Sequence, residues 1–142
     1  MLERNLDRGK DHTTSITLTP VEGMGEPAEE EIVVDIDDIP PGAGVLVVKR
    51  GSNSGARFVL DKNLTSLGRA PDSDIFLDDV TVSRRHAEIR ASHSGYVVHD
   101  VGSLNGTYLN RKRIEEETKI DNGDELQVGK FRLVFLAGVQ GS

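Results

Sequence analysis

The sequence predicts an all-β fold: an antiparallel β-sandwich of about ten to eleven strands, preceded by an acidic N-terminal tail without regular structure. Three observations carry that prediction. Short runs rich in Val, Ile, Leu and Phe recur from Val45 onward, each bounded by Gly, Asn, Asp or Ser. No segment keeps apolar residues at helical spacing long enough for an amphipathic helix. Charge is divided unevenly: positions 1–44 hold eleven acidic and three basic residues, whereas 45–142 hold 13 acidic and 14 basic.

Taken in order, residues 1–43 mix acidic runs (Glu29–Glu31, Asp35–Asp38) with Pro, Gly and Thr, a composition too polar to offset ordering entropy. Within them Glu31–Ile39 is apolar enough to dock as a short strand or helix, although a linker is the simpler expectation. Pro40-Pro41-Gly42 punctuates the entry into a domain spanning 44–138, and 139–142 form a C-terminal tail. Val45–Lys49 and Arg57–Leu60 flank the turn Gly51–Gly55 as a hairpin. Strands are then expected at Thr65–Gly68, Asp74–Leu77, His86–Ala91, Tyr96–Asp100, Thr107–Leu109, Glu125–Val128 and Phe131–Leu136.

Composition narrows the function. The net charge of −7 and the absence of a basic face argue against nucleic acid as partner. No Cys is available for a disulfide or a thiolate metal site, and the four His show no ligand-pair spacing, so neither metal nor cofactor is expected. The longest apolar runs, Val45–Val48 and Leu133–Ala137, are strand-sized, so no membrane span or signal peptide is expected. A cytoplasmic monomer is the expectation.

Four short elements stand at predicted strand ends: Gly68-Arg69, Ser83-Arg84-Arg85-His86, Asn105-Gly106-Thr107 and Gly123-Asp124. Loops of a sandwich gather at its two ends, where distant segments can converge. Arg69 and Arg84 are permanently charged donors suited to phosphate oxygens, Ser83 adds a hydroxyl, and Asn105 offers both a donor and an acceptor to a peptide backbone. The set suits binding an anion. Casting Ser83, His86 and Asp100 as a hydrolase triad finds no Gly-x-Ser-x-Gly elbow and no α/β pattern to support it. The basic cluster Arg111-Lys112-Arg113 beside Glu115–Glu117 is expected to be a solvated loop.

Gly68-Arg69, Ser83-Arg84-x-His86 and Asn105-Gly106-Thr107, followed by Asn110, resemble the motifs of the forkhead-associated (FHA) family in order and spacing. The stretches Asp72–Glu88, Val101–Tyr108 and Gly129–Leu136 resemble a group of actinobacterial metabolic regulators within it. The resemblance implies an FHA-type sandwich that binds phosphothreonine and is not an enzyme. It implies that Arg69 and Ser83 contact phosphate with Arg84 beside them, and that Asn105 holds the peptide backbone. Gly68, His86, Gly106, Thr107 and Asn110 would support the loops. Leu104 stands where many members have Thr or Ser before the Asn.

The same resemblance extends to the tail. The regulators carry a Thr-Thr-Ser element phosphorylated by Ser/Thr kinases, after which the tail folds onto its own FHA domain and blocks it. Here the counterpart is His12-Thr13-Thr14-Ser15-Ile16-Thr17, with Thr14, or else Thr13, as the expected site and Thr17 or Thr19 as competing ones. A linker of some thirty residues has a random-coil reach of roughly 30 Å, comparable to the width of the domain. The implied partners are Ser/Thr protein kinases, the 2-oxoglutarate dehydrogenase complex (inhibited on binding), and glutamate dehydrogenase and glutamate synthase. The alternative is a generic phosphothreonine-dependent adaptor for kinase signalling with an inert tail.

Overall fold

The computed structural model describes residues 13–20, 30–51 and 53–138. They form thirteen strands and a single 3₁₀ turn: β1 Thr13–Pro20, β2 Glu30–Asp35, the turn Ile36–Asp38, β3 Gly44–Gly51, β4 Arg57–Leu60, β5 Leu64–Gly68, β6 Ile75–Phe76, β7 Ala87–Ser92, β8 Gly95–Asp100, β9 Thr107–Leu109, β10 Lys112–Arg113, β11 Thr118–Ile120, β12 Glu125–Val128 and β13 Phe131–Ala137. One sheet runs β10-β9-β12-β13-β3-β1-β2, with β4 also paired to β3; the other runs β11-β8-β7-β5-β6. Pairing is antiparallel throughout except for β1 with β3 and β5 with β6. No helix among the described residues is long and apolar enough to cross a membrane.

The core between the sheets follows from strand alternation. Leu46 and Val48 of β3 and Leu133 and Phe135 of β13 point inward, against Leu67, Ile89 and Val98 of the opposing sheet. Tyr96 packs edge-on to Phe135 with centroids 5.6 Å apart, and its hydroxyl donates to the Leu60 carbonyl at 2.8 Å.

The structure differs from the sequence reading in the tail. Thr13–Pro20 and Glu30–Asp35 are not a linker but an antiparallel hairpin, with Thr14 opposite Val34 and Ile16 opposite Ile32. The physical reason lies in β3 and β13, whose apolar runs are continuous rather than alternating. Val45, Val47, Val134 and Leu136 face outward, and Ile16, Leu18, Val34 and Ile39 cover them in a second core. The 3₁₀ turn that follows β2 is capped by Asp35, whose carboxylate accepts from the Asp37 amide at 3.0 Å. Residues 1–12, 21–29 and 139–142 lie outside the described residues, and with them His12. Two short polar strands, β10 and β11, also have no counterpart in the sequence reading, and β6 is limited to two residues of the expected Asp74–Leu77.

Candidate functional site

The loops after β5, after β6 and after β8 meet at one end of the sandwich and are laced together by backbone. The Arg69 amide donates to the Ser83 carbonyl at 3.0 Å, the Ala70 amide to the Arg84 carbonyl at 3.1 Å, and the His86 amide to the Leu67 carbonyl at 3.0 Å. This close approach dictates glycine at 68, because a Cβ there would collide with the Arg84 carbonyl oxygen.

Each polar side chain then has a defined place. Arg69 is half-buried and donates through Nε to the Val82 carbonyl at 3.0 Å. Among the described residues no carboxylate pairs with Arg69 or with the exposed Arg84, whereas the neighbouring Arg85 lies 3.7 Å from Asp72. Ser83 Oγ accepts from the Leu104 amide at 3.0 Å, which ties the second loop to the third. Asn105 is exposed, and its Nδ2 donates to the Thr81 carbonyl at 2.9 Å, leaving Oδ1 turned to neither loop by any hydrogen bond among the described residues. Two guanidinium groups, a hydroxyl and an amide on one rim form an arrangement suited to a dianion attached to an extended chain.

His86 is fully buried behind this rim. Its Nδ1 accepts from the Ser83 amide at 3.0 Å, so Nε2 carries the proton and donates to the Gly106 carbonyl at 2.9 Å. Burial pushes its pKa below the usual 6.5, against the hydrogen bond to Gly106. Both ring nitrogens are thereby occupied, and neither reaches the Ser83 hydroxyl. The triad reading is contradicted further by Asp100, which accepts from the Ser103 amide at 2.8 Å and from Thr107 Oγ1 at 2.7 Å, not from His86. Burial raises the Asp100 pKa, but those bonds together with the Ser103 hydroxyl and the Gly102 amide outweigh it and hold the carboxyl at about 2.

Gly106 lies at φ +88°, and a Cβ there would sit 2.9 Å from Nε of Arg113. Thr107 is fully buried beside it. Asn110 is not at this rim. With Arg111 it makes the two-residue turn between β9 and β10, both at positive φ (51° and 70°), and it clips Asp124 and the Glu125 amide at 3.0 and 2.9 Å. Gly123-Asp124 belongs to that same turn region rather than to the rim, with the Asp121 amide on the Asp124 carboxylate.

The structure also brings in residues that sequence reasoning missed. Thr81 is held by Asp79 and accepts from the Lys130 amide at 2.9 Å, which carries Lys130 to the loops. Thr81, Tyr108, Gln127 and Lys130 line a cavity beside Asn105 and Gly106. Arg113 arrives through the pairing of β10 with Tyr108 of β9, and the acidic triplet is not its partner: Glu117 binds Arg90 at 2.9 Å. The Asp79-x-Thr81 turn was the one local signal available for this group.

Comparison with known proteins places this geometry. The FHA domain family profile matches residues 65–129. The glycogen accumulation regulator GarA of Mycolicibacterium smegmatis is 47% identical over 97% of this chain and 94% of its own length. The oxoglutarate dehydrogenase inhibitor of Corynebacterium jeikeium is 61% identical over 72% of this chain and 71% of its own length. A solved structure described as a study of phosphothreonine-dependent FHA domain interactions superposes with a TM-score of 0.63 at 28% identity, covering 68% of this chain and 98% of that one. The chain belongs to the FHA-domain family, among relatives named as GarA and as oxoglutarate dehydrogenase inhibitors.

Proposed function

We propose that this chain is a phosphothreonine-binding regulator that acts by occupancy rather than by catalysis. The observation that carries the reading is the loop rim: Arg69 anchored through Nε with its terminal nitrogens unpaired among the described residues, beside Ser83, Arg84 and Asn105. Arg69, Ser83 and Arg84 hold the phosphate, and Asn105 holds the peptide backbone. Gly68, His86, Gly106 and Thr107 keep the loops in place, and Asn110 fixes the adjoining hairpin. The name of the Corynebacterium jeikeium relative supports the 2-oxoglutarate dehydrogenase complex as the first partner; glutamate dehydrogenase and glutamate synthase are further partners implied by the sequence resemblance alone.

Its own tail is the second ligand. Phosphorylation of Thr14 by a Ser/Thr kinase adds about −1.5 to −2 charges. The tether supplies an effective concentration on the order of mM, enough to fill a micromolar site from within. The self-bound form is then closed to partners. The setting is cytoplasmic and the working form monomeric.

Calorimetric titration of the full chain with a phosphothreonine peptide tests the core of this reading. Binding of the phosphothreonine peptide at micromolar concentration is expected, with at least about tenfold weaker binding of its unphosphorylated counterpart. Equal binding of the two peptides, or of neither, would sink it.

A further inference from the structure

The loop rim adjoins a stretch of sheet surface that the phosphate site does not use. Along β9, Thr107 and Leu109 are buried and Tyr108 faces outward; along β12, Leu126 and Val128 are buried and Gln127 faces outward. Residues directly opposite each other on paired strands share a face. The register sets Arg113 level with Tyr108, Tyr108 with Gln127, Gln127 with Arg132, and Arg132 with Arg50, where β3 bulges. A single cross-strand row therefore runs over the neighbouring strands β10, β9, β12, β13 and β3. Its members are Arg113, Tyr108, Gln127, Arg132 and Arg50, and none of them is acidic.

The row is continuous with the rim and positively charged. Arg113 lies over Gly106, and Tyr108 and Gln127 also line the cavity beside Asn105. Arg113 and Arg50 are exposed and make no ion pair among the described residues. The carboxylate on this face, Glu125, is shared between two cations: Lys49 donates to it at 3.2 Å and Arg132 lies 3.6 Å away. Arg113, Arg132, Arg50 and Lys49 thus stand against one Glu, on a chain whose net charge is −7. The positive row is a local placement, opposite in sign to the bulk composition. At the usual strand spacing it is roughly 19 Å long, the span of about six extended residues.

We infer that this row is a second recognition surface, and that its ligand is an acidic segment of the partner polypeptide that presents the phosphothreonine. The inference rests on the phosphothreonine reading of the rim, from which the partner chain runs onto the row. Guanidinium groups take carboxylates through paired charge-assisted bonds, and the Tyr108 hydroxyl and Gln127 amide add neutral donors between them. Nucleic acid fits the row less well. Its arginines are separated by neutral side chains, Glu125 stands beside them, and the acidic chain as a whole repels a phosphate backbone. Exposed charges of this kind govern partner choice and association rate more than raw affinity. The row therefore selects among phosphothreonine segments, while the rim supplies the anchor.

Calorimetric titration of the full chain with a set of phosphothreonine peptides tests this. The short peptide is compared with forms extended by about six Glu, or by as many Gln, on its N-terminal or its C-terminal side. On one side the Glu extension is expected to bind about tenfold tighter than the Gln extension at about 50 mM salt, and within about twofold of it at about 0.5 M. Arg50→Gln combined with Arg132→Gln should lose most of that gain and keep the affinity for the short peptide within about twofold. The salt comparison needs no substitution, so it decides the matter even where the double variant is unstable. Glu and Gln extensions that bind alike on both sides, or a gain that salt or the double variant leaves intact, overturn the inference and leave the rim reading standing. Failure of every peptide to bind overturns both. A short DNA duplex that binds as tightly as the Glu-extended peptide, and is weakened by the same double variant, overturns the assignment to an acidic protein segment.

Discussion

The loop end of the sandwich and its outer face hold chain segments by opposite means. At the loop end nearly every contact is a directed polar bond: Arg69 to Val82, Ser83 to Leu104, His86 to Ser83 and Gly106, Asn105 to Thr81. On the outer face the hairpin is held by the burial of Ile16, Leu18, Val34 and Ile39, plus the ladder between β1 and β2. Directed bonds fix donor positions before a ligand arrives, which keeps the ordering cost of binding low. Apolar burial has no such directionality, and one misplaced charge is enough to undo it. The difference suits one region to presenting donors to an anion and the other to covering an apolar face.

The largest effect that separates the regions is expected at Arg69. Arg69→Ala should weaken a phosphothreonine peptide about 100-fold by calorimetry, from the loss of charge-assisted bonds worth roughly 3 kcal/mol. The same variant should leave the exchange of the β1 and β2 amides unchanged. Gly68→Ala comes next. Forcing a Cβ against the Arg84 carbonyl should cost about 2–3 kcal/mol in urea unfolding and disturb the rim, again without touching the hairpin.

Ile16→Ala probes the other side of the comparison. It removes a buried side chain worth about 2 kcal/mol from the outer apolar cluster. Exchange of the β1 and β2 amides should accelerate, while peptide affinity stays within about twofold.

Acidification should give the smallest signal. Because burial lowers the His86 pKa below 6.5, the folded chain holds fewer protons than the unfolded one just below that pH. Its contribution to stability is full above pH 6.5 and is lost as pH falls below it. Urea midpoints at pH 7.5 and 5.5 should show this slope in the unsubstituted chain and not in His86→Gln. Asp100, held at about 2, adds a second loss only as pH falls from 3.8 toward that value. Neither group lies in the hairpin.

Much of the loop end was legible in the sequence because its constraints are local. Gly68 precedes Arg69, His86 follows Ser83 by three residues, and Asn105 precedes Gly106, so each loop announces its own geometry. Arg113 and Lys130 could not be seen that way, since they reach the rim through the pairing of β10 with β9 and through the bond to Thr81. The hairpin was legible but was outweighed. Ser15 to Leu18 alternates polar and apolar residues, and Val45–Val48 reads as a strand buried on both faces, which requires a cover. The acidic composition around Glu29–Glu31 masked that signal, because average composition says nothing about which face of a strand the few apolar residues occupy.

One measurement bears most directly on the claim that the rim reads phosphothreonine, including that of its own tail. The full chain is compared by heteronuclear NMR before and after kinase treatment, with the phosphate located by mass spectrometry. The account predicts large shifts at the amides of Arg69, Ser83 and Asn105 that are independent of protein concentration and absent in Thr14→Ala. Complete phosphorylation of Thr14 with those amides unmoved would contradict it.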